Sequence, residues 1–203
     1  METGTVTFVT NHFSSYAVGY NKVEFKDVGF NDSYADAVSF IAAREITSGT
    51  GTGTFGPADT LTRGQFITLL LKAYEISLDA NPSDNFKDAG NTYYTEYLAA
   101  AKKLGISGGV GDNRFEPGKA ISRQEMYTLL CKTLKQINMQ PKGASEKKLS
   151  DFTDSGEIAG WAEDSVKLLL ETGKISGNAG KLSPAGAATR AEMAQVLYNL
   201  IAE

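Results

Sequence analysis

The chain has 203 residues, 24 acidic against 20 basic side chains and a formal net charge of −4, with no basic block, which argues against a nucleic-acid surface. A single cysteine, Cys131, and a single histidine, His12, allow neither an internal disulfide nor a Cys/His metal cluster, and no cofactor is expected. The longest apolar runs are only a few residues, too short for membrane insertion, and Met1-Glu-Thr-Gly4 lacks the regions of a signal peptide, as a fragment of a longer protein also would.

Residues 1–22 differ from all that follows. Val6 and Phe8, then Tyr16 and Val18, alternate with β-branched and polar residues, which predicts a β-like segment, the remnant of a preceding domain or a linker. His12 falls in its turn-like centre with no second histidine or carboxylate pair nearby, so no catalytic role is expected for it.

From residue 23 onward one phrase is written three times. It opens with Phe25-Lys-Asp27, Phe86-Lys-Asp88 and Phe152-Thr-Asp154. An aromatic follows, Tyr34, Tyr94 or Trp161, and then apolar positions at three-to-four spacing: Val38 and Ile41, Leu98 and Ala101, Val166 and Leu169. That spacing predicts a short helix with one buried face, closed at Arg44-Glu45, at Gly105 and at Gly173. A glycine-rich loop comes next, from Gly49, Gly108 or Gly177 to Phe55-Gly-Pro57, Phe115-Glu-Pro117 or Leu182-Ser-Pro184. Gly49-Thr-Gly51-Thr-Gly53 resembles a phosphate-binding fingerprint, but no strand precedes it and no Gly-Lys-Ser/Thr follows, so it reads as a tight turn.

A second helix then starts at Thr62, Ser122 and Thr189, good N-caps with Gln65, Glu125 and Glu192 three residues on to complete a capping box. Its apolar stripe is Phe66, Leu69, Leu70, Ala73 in the first copy, Met126, Leu129, Leu130, Leu134, Ile137 in the second, and Met193, Val196, Leu197, Leu200, Ile201 in the third. Arg63, Arg123 and Arg190 are 60 and 67 residues apart, whereas the Asp-to-Arg intervals are 36, 35 and 36, so the insertion lies between repeats, in the polar linkers Ser77–Asp84 and Gln140–Lys148. A lone unit of this size buries only about 60% of its unfolded surface. The expected architecture is therefore all-α, with repeats 23–80, 81–141 and 142–203 sharing one core in a single structural domain.

Three features carry chemistry. Each second helix places an arginine in its first turn, beside free N–H groups and the positive end of the helix dipole, where an anion is favoured and a lone cation is not. Two partners satisfy that logic equally: the aspartate of the Phe-x-Asp motif, as an internal salt bridge, or a carboxylate or phosphate of a ligand. The aromatics Tyr34, Tyr94 and Trp161 suit either a hydrophobic anchor or a platform for a sugar ring. Arginine, aspartate, aromatic and a loop that lets backbone approach closely are the ingredients of an acidic-carbohydrate site. No acid/base pair, nucleophile with base, or histidine occurs in the repeats, so no enzyme is expected here, though a missing N-terminal portion could be one.

The Phe-x-Asp, aromatic, glycine-loop, Phe-x-Pro and Thr-Arg-Ala-Glu elements, in this order and threefold over residues 23–203, resemble the S-layer homology domains of bacterial surface proteins. Thr189-Arg190-Ala191-Glu192 is that family's signature unchanged; Thr62-Arg63-Gly64-Gln65 and Ser122-Arg123-Gln124-Glu125 depart from it, and Thr95 follows Tyr94 where alanine is usual. The resemblance implies a pseudo-threefold spindle in which each repeat gives one helix to a central three-helix bundle. It further implies extracellular anchoring to a secondary cell-wall polysaccharide through pyruvylated N-acetylmannosamine, bound in grooves between repeats. On that reading the ligand-binding residues are Arg63, Arg123, Arg190, Asp27, Asp88, Asp154, Tyr34, Tyr94, Trp161, Gly49, Gly108 and Gly177, in grooves that need not bind equally. The alternative is a structural module for self-association in an S-layer lattice or for contact with peptidoglycan, with assembly through the rest of the parent protein.

Overall fold

The computed structural model of the chain describes residues 21–79 and 82–202; the β-like segment expected over 1–22, except its last two residues, and His12 lie outside them. Six helices follow one another: α1 (Ala35–Ala43), α2 (Arg63–Ala73), α3 (Thr95–Lys103), α4 (Arg123–Gln136), α5 (Glu163–Glu171) and α6 (Arg190–Ile201). Two short 3-10 turns, Leu149–Asp151 and Ser155–Glu157, lie ahead of α5.

The even-numbered helices start where their capping boxes place them. Thr62, Ser122 and Thr189 accept the N–H three residues on, and Gln65, Glu125 and Glu192 reach back to the N-cap N–H, so two orphan donors are satisfied at each start. The odd-numbered helices end in a left-handed residue, Gly105 and Gly173 in two copies and Glu45, at φ 58°, in the other.

The packing is interlaced. α3 lies on α2, α5 on α4, and α1 reaches across the chain to α6, so each first helix is covered by the second helix of the neighbouring repeat rather than by its own. α2 meets α4 at the centre. Because α2 has neighbours on several sides, Ile67, Thr68 and Leu71 are buried along with the expected stripe of Phe66, Leu69 and Leu70. Val38, Ile41, Leu98, Ala101, Val166 and Leu169 are all buried as their spacing predicted. Each large apolar side chain so buried stabilises the fold by ~1.5–3 kcal/mol, enough to explain why three marginal units become one helical domain around a shared core.

The axis is closed by backbone. Leu61 N–H donates to Ala188 C=O at 3.0 Å, Ala188 N–H to Ile121 C=O at 2.8 Å, and Ile121 N–H to Leu61 C=O at 2.9 Å, a cyclic triangle in which each repeat serves as both donor and acceptor. All three residues are fully buried, so none of these bonds competes with water. Isolated bridges Thr60 to Thr189, Thr62 to Ala120 and Ser122 to Ala187 flank it. The triangle holds the three N-caps around one axis and so sets where the three arginines stand.

Candidate functional site

The aspartates hold the loops. The N–H groups of Phe55 and Gly56 donate to Asp27 at 2.7 Å each, those of Phe115 and Glu116 to Asp88 at 2.8 and 2.9 Å, and those of Leu182 and Ser183 to Asp154 at 2.9 and 2.7 Å. The N–H of Phe55 heads the causes that hold the Asp27 carboxyl below its usual range, against the opposing pull of desolvation. At Asp88 and Asp154 burial pulls the pKa upward and the paired N–H groups outweigh it, leaving both lowered. None of the three carboxylates lies within 4 Å of Arg63, Arg123 or Arg190 among the described residues, so the internal Asp–Arg salt bridge allowed by the sequence does not form.

The arginines instead reach into the next repeat. Arg63, 4% exposed, donates through Nε to Phe115 C=O at 2.8 Å and through Nη1 to Glu125 Oε1 at 2.6 Å. Arg123 donates through Nε to Glu192 Oε1 at 2.9 Å and pairs with it again through Nη2. Arg190, 6% exposed, donates through Nε to Phe55 C=O at 2.6 Å and through Nη2 to Thr47 Oγ1 at 3.3 Å. Burial pushes the pKa of Arg190 down, and the fields of Asp59, Asp27 and Tyr93 pull it back. Arg63 and Arg190 also lie over the rings of Phe115 and Phe55, at 4.6 and 4.7 Å from the centroids, so the phenylalanine of each Phe-x-Pro supplies both a carbonyl and a π face.

Arg63 and Arg123 each line an inter-repeat groove, and Arg190 lies buried at the junction of repeats 3 and 1. The groove between repeats 1 and 2, about 430 Å³, is lined by Arg63, the Ser107–Val110 loop, Glu125, Thr128 and Lys132, with Trp161 contributed by repeat 3. The groove between repeats 2 and 3, about 350 Å³, is lined by Arg123, Tyr127, Lys174, the Ser176–Asn178 loop, Lys181, Glu192 and Asn199. These are open clefts with mixed polar and apolar walls, and on the floor of each an arginine is paired with a capping-box glutamate.

Two positions read from sequence shift in register. Tyr34 and Tyr94 are the N-cap residues of α1 and α3 and lie half-buried against the core, whereas the N-cap of α5 is Ala162. Trp161 therefore corresponds to Tyr93 and Ser33, not to Tyr94 and Tyr34, and it is Tyr93 that shares its exposure, 60% against 58%. Counting five residues back from Leu98 and Val166 would have found this, and it also explains the unusual Thr95, since Tyr94 itself takes the alanine position. Similarly, Gly49 and Gly177 correspond to Gly109, not Gly108. At all three, φ is positive and a Cβ would strike the opening phenylalanine ring and a loop carbonyl, whereas a Cβ on Gly108 meets nothing within 4 Å. The constant interval of six residues to Phe55 and Phe115 was the available signal. The Gly49 N–H donates to Thr47 Oγ1 and the Gly109 N–H to Ser107 Oγ, both at 3.1 Å, contacts that the sequence reading did not single out.

Comparison with known proteins fits this arrangement. The sequence model of the S-layer homology domain matches residues 24–67, 85–126 and 151–194. Among curated proteins, an amylopullulanase from Thermoanaerobacterium thermosulfurigenes is 32% identical over 98% of this chain and 10% of its own length. The S-layer protein sap of Bacillus anthracis is 28% identical over 85% of the chain and 20% of its own length, and the exoglucanase XynX of Acetivibrio thermocellus 31% over 87% and 16%. The chain thus spans a tenth to a fifth of the length of these relatives. With three matched copies and an interlaced helical fold, the chain belongs to the S-layer homology domain family.

Proposed function

We propose that this chain is a non-catalytic anchoring module that works outside the cell, at the wall or S-layer, by binding the secondary cell-wall polysaccharide through pyruvylated N-acetylmannosamine in its inter-repeat grooves. The observation that carries this reading is the threefold placement of an arginine that reaches across a repeat boundary, with Arg63 and Arg123 lining open clefts there. A pyruvyl ketal offers a carboxylate to that guanidinium, a pairing stronger than a neutral hydrogen bond, and the sugar offers hydroxyls to the loop and a face to Trp161. Asp27, Asp88 and Asp154 serve the site by holding the loops, and Gly49, Gly109 and Gly177 by keeping them tightly turned.

Pull-down of the chain with purified wall polymer, native against depyruvylated, tests it. Binding to the native polymer and its loss on depyruvylation is the expected result. Equal retention by both, or concentration-dependent self-association without glycan binding, would favour the lattice or peptidoglycan role instead.

A further inference from the structure

The three arginines are not equally neutralised. In the capping box of α4, Glu125 uses Oε2 to accept the Ser122 N–H at 2.8 Å and Oε1 to hold Arg63; in α6, Glu192 uses Oε2 for the Thr189 N–H at 2.8 Å and Oε1 for Arg123. One oxygen caps the helix and the other neutralises the arginine of the preceding repeat. The corresponding residue in α2 is Gln65, whose single oxygen is committed to the Thr62 N–H at 2.9 Å, leaving an amide NH2 where the other repeats have a carboxylate oxygen. Arg190 occupies the matching place over repeat 1: its N–H donates to Asp59 C=O as that of Arg63 does to Lys119 C=O, and its Nε to Phe55 C=O as that of Arg63 does to Phe115 C=O. Among the described residues it has no carboxylate within 4 Å and no acceptor for Nη1, although it is more than nine-tenths buried; Asp59 and Asp27 act on it only from farther away. A buried cation without a counter-charge is costly, and an arriving anion removes that cost.

We infer that the junction of repeats 3 and 1 at Arg190 is the primary acidic-sugar site of this chain, and that the Gln65-for-glutamate difference is what opens it. In the grooves of Arg63 and Arg123 a ligand carboxylate has to displace Glu125 or Glu192 from its arginine and leave a glutamate facing the anion. At Arg190 it meets an amide donor. Tyr93, exposed and close enough to Arg190 for the two to perturb each other, stands at the position that Trp161 holds beside the groove of Arg63. The inference rests on the anchoring function proposed above and assigns which repeat junction performs it.

The test is calorimetric titration of the chain and of three single variants with synthetic pyruvylated N-acetylmannosamine, with thermal melting of each. Gln65→Glu installs the side chain that the other two capping boxes already accommodate. It is expected to keep or raise the melting temperature and to weaken binding at least tenfold. Glu125→Gln and Glu192→Gln, which release Arg63 and Arg123, are each expected to add a binding site. If the parent chain binds the sugar and Gln65→Glu binds it equally well, or if neither glutamine variant gains a site, the groove assignment is overturned while the anchoring function stands. If the parent chain does not bind the pyruvylated sugar at all, both fall.

Discussion

Asp154 offers the sharpest separation of a structural role from a ligand-contacting one. It is buried and accepts two backbone N–H groups, from Leu182 and Ser183, that open the Leu182-Ser-Pro184 segment beneath the groove of Arg123. Asp154→Ala removes both acceptors and leaves the buried Leu182 N–H without a partner. Hydrogen bonds to a charged group are worth ~1.5–3 kcal/mol each; since water can reach Ser183 in the variant, a loss of about 3 kcal/mol is the reasonable sum. For a domain of this size that corresponds to about 6–12 °C in melting temperature. Asp154→Asn, which keeps one acceptor but turns an NH2 group toward the second donor, should fall between the two. Because the folded carboxyl has a lowered pKa, its stabilisation is present above the unfolded value of about 3.9 and is lost as pH falls through the folded value. The gap between parent and Asp154→Ala should therefore be full near pH 7 and close under acid conditions. Thermal melts by circular dichroism at several pH values, together with glycan titration at pH 7, provide the assay. A variant that melts within about 2 °C of the parent would refute the reasoning, and a variant that melts normally but binds glycan more weakly would place this carboxylate on the sugar.

Leu130→Asp and Leu197→Asp put an unpaired charge into the shared core, where both leucines are 1% exposed, and should unfold the whole domain in one transition rather than one repeat, as read by urea denaturation with two spectroscopic probes. Gly109→Ala should cost upward of ~1 kcal/mol, because φ is 80° and a Cβ would press on Arg114 C=O and Phe86, whereas Gly108→Ala should leave the melting temperature unchanged. Equal effects from the two would undo the revised register. Arg190→Ala should weaken binding of pyruvylated glycan by about ten- to a hundredfold, the equivalent of ~1.5–3 kcal/mol, and Arg190→Lys should recover part of it, since charge returns without the planar fork. Titration of the folded variants measures both.

Much of the fold was legible because it is written in short-range patterns. The capping boxes at Thr62, Ser122 and Thr189 need only residues three apart, and the faces of Val38 and Ile41 or Leu129 and Leu130 need only helical spacing. The site was legible in part for the same reason: an arginine in the first turn of a capped helix has an unusual electrostatic position whatever surrounds it. Its partner was not legible. Aspartate in Phe-x-Asp and glutamate in the capping box are both carboxylates of the right kind, and only the placement of one repeat over the next decides that Asp88 takes the Phe115 and Glu116 N–H groups while Glu125 takes Arg63. The aromatic register failed where Tyr93 and Tyr94 are adjacent, because a motif match accepts either, whereas the N-cap of α3 admits only Tyr94.

By itself, then, the amino-acid sequence determined the threefold repeat, the six helices and their buried faces, and an arginine in the first turn of each capped helix. Tertiary structure alone decided that α1 closes the ring on α6, that Leu61, Ile121 and Ala188 bond in a cycle, and that Arg63 and Arg123 are neutralised across the repeat boundary while Arg190, among the described residues, is not. The physical reason is range. Helix caps and amphipathic faces are contacts within a few residues, but the Arg63 to Glu125 and Arg190 to Phe55 bonds join positions 62 and 135 residues apart, and such contacts exist only once three copies have closed around one axis.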